Sequence, residues 1–455
     1  MIKETVEKQR AYFNSGATRS LDARLESLKR IRELLLAYRG RFNEAFKKDY
    51  NKCEFDVLCT EFYLVLEECE YHIKHLKKEA KTKKVKTSLF NFPSKGYIIQ
   101  EPYGVTLIMA PWNYPLQLAL EPLMGSIAAG NTVVLKPASY AANVSQVIYD
   151  MFVEFGNPGL ISVVLGGRQE NQDLLDQRFD YIFFTGGATV GRLVLEKAAV
   201  NLTPVSLELG GKSPCIVDED ADIDIAAKRI VWGKFLNAGQ TCVAPDYICV
   251  HSSVHEAFVK AVLKYIKEFF YPNGAISTDF PHLINDKHAL KVSGFLDPSK
   301  TLCGGTIEGH LLEPTVLDNV TWDDACMKEE IFGPIMPILI FDDIDELLKT
   351  INAKEKPLAF YYFTKDKEKA KRVFEVSPFG GGCWNETIMH LTNDDLPFGG
   401  VGRSGMGAYH GAASFKTFSH AKSLLVKGKA EINVKYPPYT KKALNFVKKL
   451  AHIKD

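Results

Sequence analysis

Nowhere does the sequence gather the roughly 18 consecutive apolar residues that a membrane-spanning helix needs. Its opening stretch, Met1 to Phe13, is polar and charged where a secretory signal would be apolar. Neither an integral membrane segment nor export is expected. An excess of one charge is also missing: 56 Lys and Arg stand against 55 Asp and Glu, a formal net charge of +1. No broad field therefore marks the chain as a nucleic-acid or polyanion binder, and a small neutral substrate suits the balance. Nine cysteines are scattered with no Cys-x-x-Cys pair and no Cys/His cluster at zinc spacing. They read as the reduced thiols of a cytoplasmic protein without a bound metal. Repeats and low-complexity tracts are lacking too, while 455 residues exceed what one core ordinarily covers, so two or three domains are expected.

What is present is periodic. Leu21, Leu25, Leu28, Ile31 and Leu35 recur at spacings of three and four, the stripe of an amphipathic helix. A second such helix is expected over 61–76, and the basic run 77–86 reads as its solvated end, because no aromatics are interleaved as on a nucleic-acid surface. Residues 88–103 suggest an extended hairpin. From Val105 onward short apolar runs at 105–109, 132–135, 162–165 and 181–184 alternate with helix-length segments, the pattern of parallel βαβ units in a doubly wound sheet. A second alternating series from 213 to about 393 predicts a second α/β domain. Five glycines within residues 397–407 exclude a helix or strand interior and leave a loop with a task, or a linker. A strand-like stretch at 423–427 and a terminal helix from about Thr440 close the chain, the helix expected to be docked or frayed.

Four segments carry chemistry. Cys242 ends Asn237-Ala-Gly-Gln-Thr-Cys242, a polar loop after an apolar helix-like run; backbone amides there can stabilise a thiolate or an oxyanion, but a buried hydrophobic filler is the competing reading. Glu208 sits near the carboxyl end of an alternating strand that runs into Gly210-Gly211. Flanked by leucines at an edge where ligands bind, it can serve as a base, or be an ordinary solvent-facing acid. Phe183 to Gly191 has the strand, glycine turn and helix that aim amides at a phosphate, without the Gly-x-Gly-x-x-Gly spacing. Asn113, between Pro111 and Pro115, can donate to an oxyanion or simply belong to a turn.

The strings Pro111-Trp-Asn-Tyr-Pro115, Leu135-Lys-Pro137, Leu207-Glu-Leu-Gly-Gly-Lys-Ser-Pro214, Gly239-Gln-Thr-Cys242, Glu329-Glu-Ile-Phe-Gly-Pro334 and Pro397-Phe-Gly-Gly400 follow one another in the order and spacing of the aldehyde dehydrogenase superfamily. The chain resembles that superfamily over nearly its whole length. The short amino terminus, the stretch from Gly233 to Tyr247 and Ser404-Gly-Met-Gly-Ala-Tyr-His-Gly411 look most like its class 3 branch. The resemblance implies an α/β architecture: a Rossmann-like NAD(P)-binding domain (1–86 and 102–211), an α/β catalytic domain (212–396), a small β oligomerisation arm (87–101 and 411–430) and a tail (431–455). It implies Cys242 as nucleophile, Glu208 as general base, and Asn113 with the Cys242 amide as oxyanion hole. It assigns Lys136 to the adenine ribose, the turn Gly186, Gly187 to Gly191 to the phosphates, and Glu330 and Phe332 to the nicotinamide end of NAD or NADP. Many NAD-preferring relatives carry Glu where this chain has Ser139, so NADP is expected to be accepted beside NAD. A homodimer is the implied assembly.

Tyr114 and Trp232 are expected to line an apolar entrance for medium-chain aliphatic or aromatic aldehydes. A coenzyme A-acylating relative would typically lack Glu208, and a non-catalytic binding or structural protein with this fold would be favoured only if Cys242, Glu208 or Asn113 were missing. His251 and His255 stand four apart without the acid of a metalloprotease motif and are expected to be ordinary core or surface residues.

Overall fold

Ser20 starts the helix Leu21–Ala37 because its Oγ accepts the Ala23 amide, one of the donors that a helix start leaves without an intrahelical partner. Of the predicted stripe Leu28, Ile31 and Leu35 are buried, with Leu34 beside them, and Leu21 and Leu25 are partly buried. The computed structural model describes residues 2–430 and 433–453. Its next long helix, Tyr63–Glu79, follows a wide π turn over Leu58–Phe62, so the start expected at 61 falls inside that turn. The basic run departs from expectation. After Glu79 the chain extends, and Lys83–Val85 is a strand whose ladder to residues 96–98 replaces the solvated helix end.

From Val105 the alternation of strands and helices is the expected one. Val105–Met109 and Thr132–Lys136 are buried along their whole length, as strands covered on both faces must be. Five strands run parallel in the order Val205–Leu209, Tyr181–Gly186, Val105–Met109, Thr132–Lys136, Ile161–Val163. The chain thus moves outward from Val105–Met109 on one side and returns on the other at Tyr181–Gly186. That reversal creates a switch point, with a crevice beyond the carboxyl ends of those two strands. A sixth strand, Gly405–Met406, closes the edge antiparallel to Val205–Leu209, pairing Gly405 with Glu208.

The second sheet has the order Thr301–Cys303, Thr315–Leu317, Ile335–Phe341, Tyr247–His251, Pro214–Val217, Ala359–Phe363, Gly381–Trp384, parallel except at its first edge. The expected hairpin at 88–103 is instead one long strand, Ser94–Pro102, preceded by a 3-10 turn over Leu89–Asn91. It pairs with Lys83–Val85 on one side and along its full length with Ser419–Lys427 on the other. Leu424, Leu425 and Val426 remain almost half exposed on that three-stranded arm.

Thr440 caps the last helix, Lys441–Leu450, none of whose residues is buried. No helix among the described residues is long and apolar enough to cross a membrane. His251 and His255 face different partners, the first Ser253 and the Asp342 carbonyl, the second the Asp318 carboxylate at 2.7 Å.

Candidate active site

The crevice at the switch point opens into a cavity of about 580 Å³ whose walls come from both sheets. Asn113 reaches it from the turn after Val105–Met109, Thr185 to Gly187 from the end of Tyr181–Gly186, and Glu208 from the end of Val205–Leu209. Cys242, Glu330 and Phe332 close it from the other side. Residues dispersed over more than two hundred positions are brought to one surface by strand order alone.

The loop that carries Cys242 is held by its backbone. After the helix Ile223–Phe235, three consecutive residues, Asn237, Ala238 and Gly239, adopt left-handed φ values of 53°, 52° and 71°. For Ala238 this costs roughly 1–2 kcal/mol, which the surroundings must offset. They do so through Asn237 Nδ2, which donates to the carbonyl of Asn113 at 2.8 Å, and through Gln240, whose amide bonds His282 O and Ile284 N. At Gly239 a Cβ would lie 2.3 Å from the Gly333 carbonyl, so only glycine fits. Asn237 and Gln240 were invisible as clamps in the sequence, although Asn before Ala-Gly is a legible sign of a left-handed turn.

Cys242 is part-buried and lines the cavity. Burial pushes its thiol up to about 12, and the charges of Glu330 and Glu208 add to that; the amides of Cys242 and Val243 pull the other way and lose. The backbone amides favour the thiolate as expected, but burial outweighs them. Glu208 is 2% exposed and both its oxygens lack a hydrogen-bond partner, so burial raises its pKa well above the ordinary carboxylate range. It is not the solvent-facing acid that was the competing reading. The glycine-rich segment explains this enclosure. Its strand Gly405–Met406 lies so close that a Cβ at Gly405 would meet the Leu207 carbonyl at 2.2 Å, which makes it a packed loop and not a linker.

Asn113, 3% exposed, donates one Nδ2 hydrogen to the Gln240 carbonyl at 3.1 Å; an amide has two, so one is left for a ligand. Glu330 lies over Gly210, where a Cβ would come within 2.1 Å of its carboxylate, and burial together with Asp246 raises it to about 8. Phe332, at φ 55°, sets its ring edge-on to Trp112 at 5.4 Å.

The glycine turn divides in two. Gly186 and Gly187 line the cavity, and Gly187 caps the helix Ala188–Ala199 with open space where its Cβ would be. Gly191 lies away from the cavity against Leu209, where a Cβ would be 2.8 Å from Cδ2, so close helix–strand packing accounts for it. The Thr185 hydroxyl is buried, unpartnered and on the cavity wall. Lys136 is buried at the end of its strand, its ammonium donating to the Pro137 carbonyl at 2.8 Å; burial lowers it to about 8, and Glu170 opposes that. Ser139 is exposed just beyond it on the same sheet edge.

Tyr114 is corrected from entrance to wall: it is 6% exposed, shares a 2.6 Å hydrogen bond with Thr241 Oγ1, and has the Lys52 ammonium 4.6 Å from its ring centre. Trp232 does stand at the mouth, joined there by Tyr63 and Met389, two exposed residues that sequence reasoning did not single out.

Residues 1–424 match the aldehyde dehydrogenase family. The chain belongs to that family, and it is an NAD(P)-dependent oxidoreductase acting on the aldehyde group. Within the family it stands with the class 3 branch. It is 45% identical to the 4,4'-diaponeurosporen-aldehyde dehydrogenase of Staphylococcus aureus, over 96% of this chain and 97% of that one. It is 41% identical to the dimeric NADP-preferring aldehyde dehydrogenase of Canis lupus familiaris, over 96% and 98%. The structure of Staphylococcus aureus AldH in its substrate-bound state superposes with a TM-score of 0.96 at 44% identity, covering 99% of each chain.

Proposed function

We propose that Cys242 is the nucleophile, Glu208 the general base, and Asn113 with the Cys242 amide the oxyanion hole of a hydrolytic aldehyde dehydrogenase. The observation that carries this reading is a bare, buried carboxylate sharing one cavity with a thiol and a half-engaged amide. Sγ of Cys242 releases its proton to solvent as it bonds the aldehyde carbon, and the free Nδ2 hydrogen of Asn113 meets the oxygen as it becomes anionic. NAD or NADP, when bound, would supply the hydride acceptor. Glu208 then takes a proton from water as the water oxygen bonds the acyl carbon and the C–S bond breaks, releasing the carboxylic acid. A carboxyl raised toward neutrality suits that task better than an ordinary Glu.

The residues fit NAD or NADP. The Gly187 helix start would meet the phosphates, Lys136 the adenine ribose, and Glu330 and Phe332 the nicotinamide end, beside the unpartnered Thr185 hydroxyl. With Ser139 exposed and uncharged, nothing there repels a 2′-phosphate; Ser139→Glu is expected to lower kcat/KM with NADP about ten-fold while sparing NAD. Residues 1–86 and 102–211 form the cofactor domain and 212–396 the catalytic domain. Strands 94–102 and 419–427, with their exposed leucines, make the dimer arm. The apolar mouth around Trp232 suits medium-chain aliphatic or aromatic aldehydes. That the nine cysteines are unpaired fits a cytoplasmic location.

The test is reduced-cofactor formation from a panel of aldehydes by the wild type, Cys242→Ala and Glu208→Gln, with and without coenzyme A. Turnover without coenzyme A that is lost in Cys242→Ala and cut to a single burst in Glu208→Gln is expected. Turnover that requires coenzyme A would overturn the hydrolytic reading.

A further inference from the structure

Tyr409 and His410 line the same cavity as Glu208, and the chemistry above leaves them without a role. His410 is 5% exposed and held at φ 76°, a conformation that a residue with a side chain keeps only when its surroundings insist. Its ring stacks on Phe398, and its Nε2 lies 3.3 Å from the Glu121 carboxylate. Glu121, 3% exposed on the helix Gln117–Ala129, also accepts the Gln117 amide. Behind this pair Glu68 accepts the Gly411 amide at 2.7 Å, the Ser414 hydroxyl at 2.6 Å and His72 Nε2 at 3.0 Å.

The two carboxylates behave differently. Burial works against ionised Glu68, but His72 and His410 outweigh it and hold Glu68 near 2, while His72 rises to about 9. Glu68 and His72 are thus a fixed ion pair that fastens the 410–414 turn. Burial raises Glu121, and His410 only partly offsets it; His410 is itself raised against its burial by Glu121 and Glu68. Burial favours a proton on Glu121 and the two carboxylates favour one on His410, so this pair, 3.3 Å apart, can hold and pass a proton. Two further groups face His410: Asp394, half-buried at the surface, and His390, which burial keeps neutral.

We propose that the His410–Glu121 pair is the proton outlet of the cavity, acting through Glu208. The proposal rests on the hydrolytic reading. As the C–S bond breaks and its electron pair returns to Sγ, which regains a proton from solvent, the proton that Glu208 took from water crosses the cavity to the pair. The pair gives its own proton outward to Asp394 and solvent, and Glu208 is again a base. Nothing is oxidised or reduced in this leg. Glu208, with no hydrogen-bond partner of its own, faces the same cavity whose wall carries His410.

The test uses the full-length enzyme and its His410→Gln and Glu121→Gln variants. Burst amplitude reports folding and acylation; steady-state turnover across the neutral range, with and without added imidazole, reports unloading. The expected result is a full burst, KM unchanged, kcat lower by about ten-fold with a larger solvent deuterium effect, and recovery of His410→Gln by imidazole. Unchanged kcat, or a loss that imidazole and pH leave untouched in both variants, would assign these residues to structure alone. Absence of hydrolytic turnover in the wild type would instead overturn the parent reading and the outlet with it.

Discussion

Two buried carboxylates illustrate opposite uses of the same group. Glu61 is fully buried, bonded to the Lys52 ammonium at 3.1 Å and to the amides of Leu116 and Gln117, so its charge is satisfied from every side. Glu208 is as deeply buried and has no partner at all. Burial raises both pKa values, but around Glu61 Lys52 and the two amides push back, whereas nothing pushes back at Glu208. The first arrangement fixes the start of the helix Gln117–Ala129 beside the cavity; the second leaves a bare acid on the cavity wall, as the proposed base requires. An unpartnered buried acid costs stability, and a protein keeps one where its chemistry requires it.

The contrast can be broken by mutation. Glu208→Gln should lower kcat by about 10²- to 10⁴-fold while a pre-steady-state burst survives, measured by rapid mixing. An equal loss in Glu61→Gln would show that partnered and bare acids do not divide as described. Glu61→Gln should instead destabilise the fold by about 3–5 kcal/mol, because Lys52 is left charged and buried, as denaturant titration would reveal. Glu208→Gln should do the reverse and gain about 1 kcal/mol or more at neutral pH.

The pH dependence follows with opposite signs. A raised folded pKa means that the native state holds a proton that the unfolded chain releases, so the Glu208 contribution falls as pH rises from the usual 4.5 toward its folded value. Glu208→Gln should remove that decline. Glu68, held near 2, contributes stability that is complete above 4.5 and lost as pH falls toward 2. Glu68→Gln should therefore flatten the acid side of the stability curve, the smallest of these effects, read from unfolding midpoints against pH.

Much of this was legible in the residues. The runs at 105–109, 132–135 and 181–184 are mostly apolar and buried throughout because both faces are covered, and that continuity announces parallel strands. Glu208 and Asn113 could be placed at strand ends because alternation and prolines mark where strands stop. What could not be read depends on residues far away in sequence. The Cys242 thiol is governed by an enclosure to which Glu208 and Glu330 both contribute, not by its own loop. Lys83–Val85 becomes a strand because Ser94–Pro102 offers it a ladder, which no local propensity of Lys-Lys-Val shows. Gly191 looked like part of a phosphate turn because spacing cannot show that Leu209 occupies the space beside it.

The edge strand Gly405–Met406 also bears on how the enzyme comes into being. A nascent chain released as far as residue 400 already carries Asn113, Glu208 and Cys242, yet the strand holding Glu208 still presents an open edge. The two large sheets can each begin to assemble as they leave the ribosome, but the one holding Glu208 is sealed only by a strand translated after every other strand of both. Competence for catalysis therefore arrives late and all at once, and a chain truncated before Gly405 would expose a template for strand pairing instead of an enzyme.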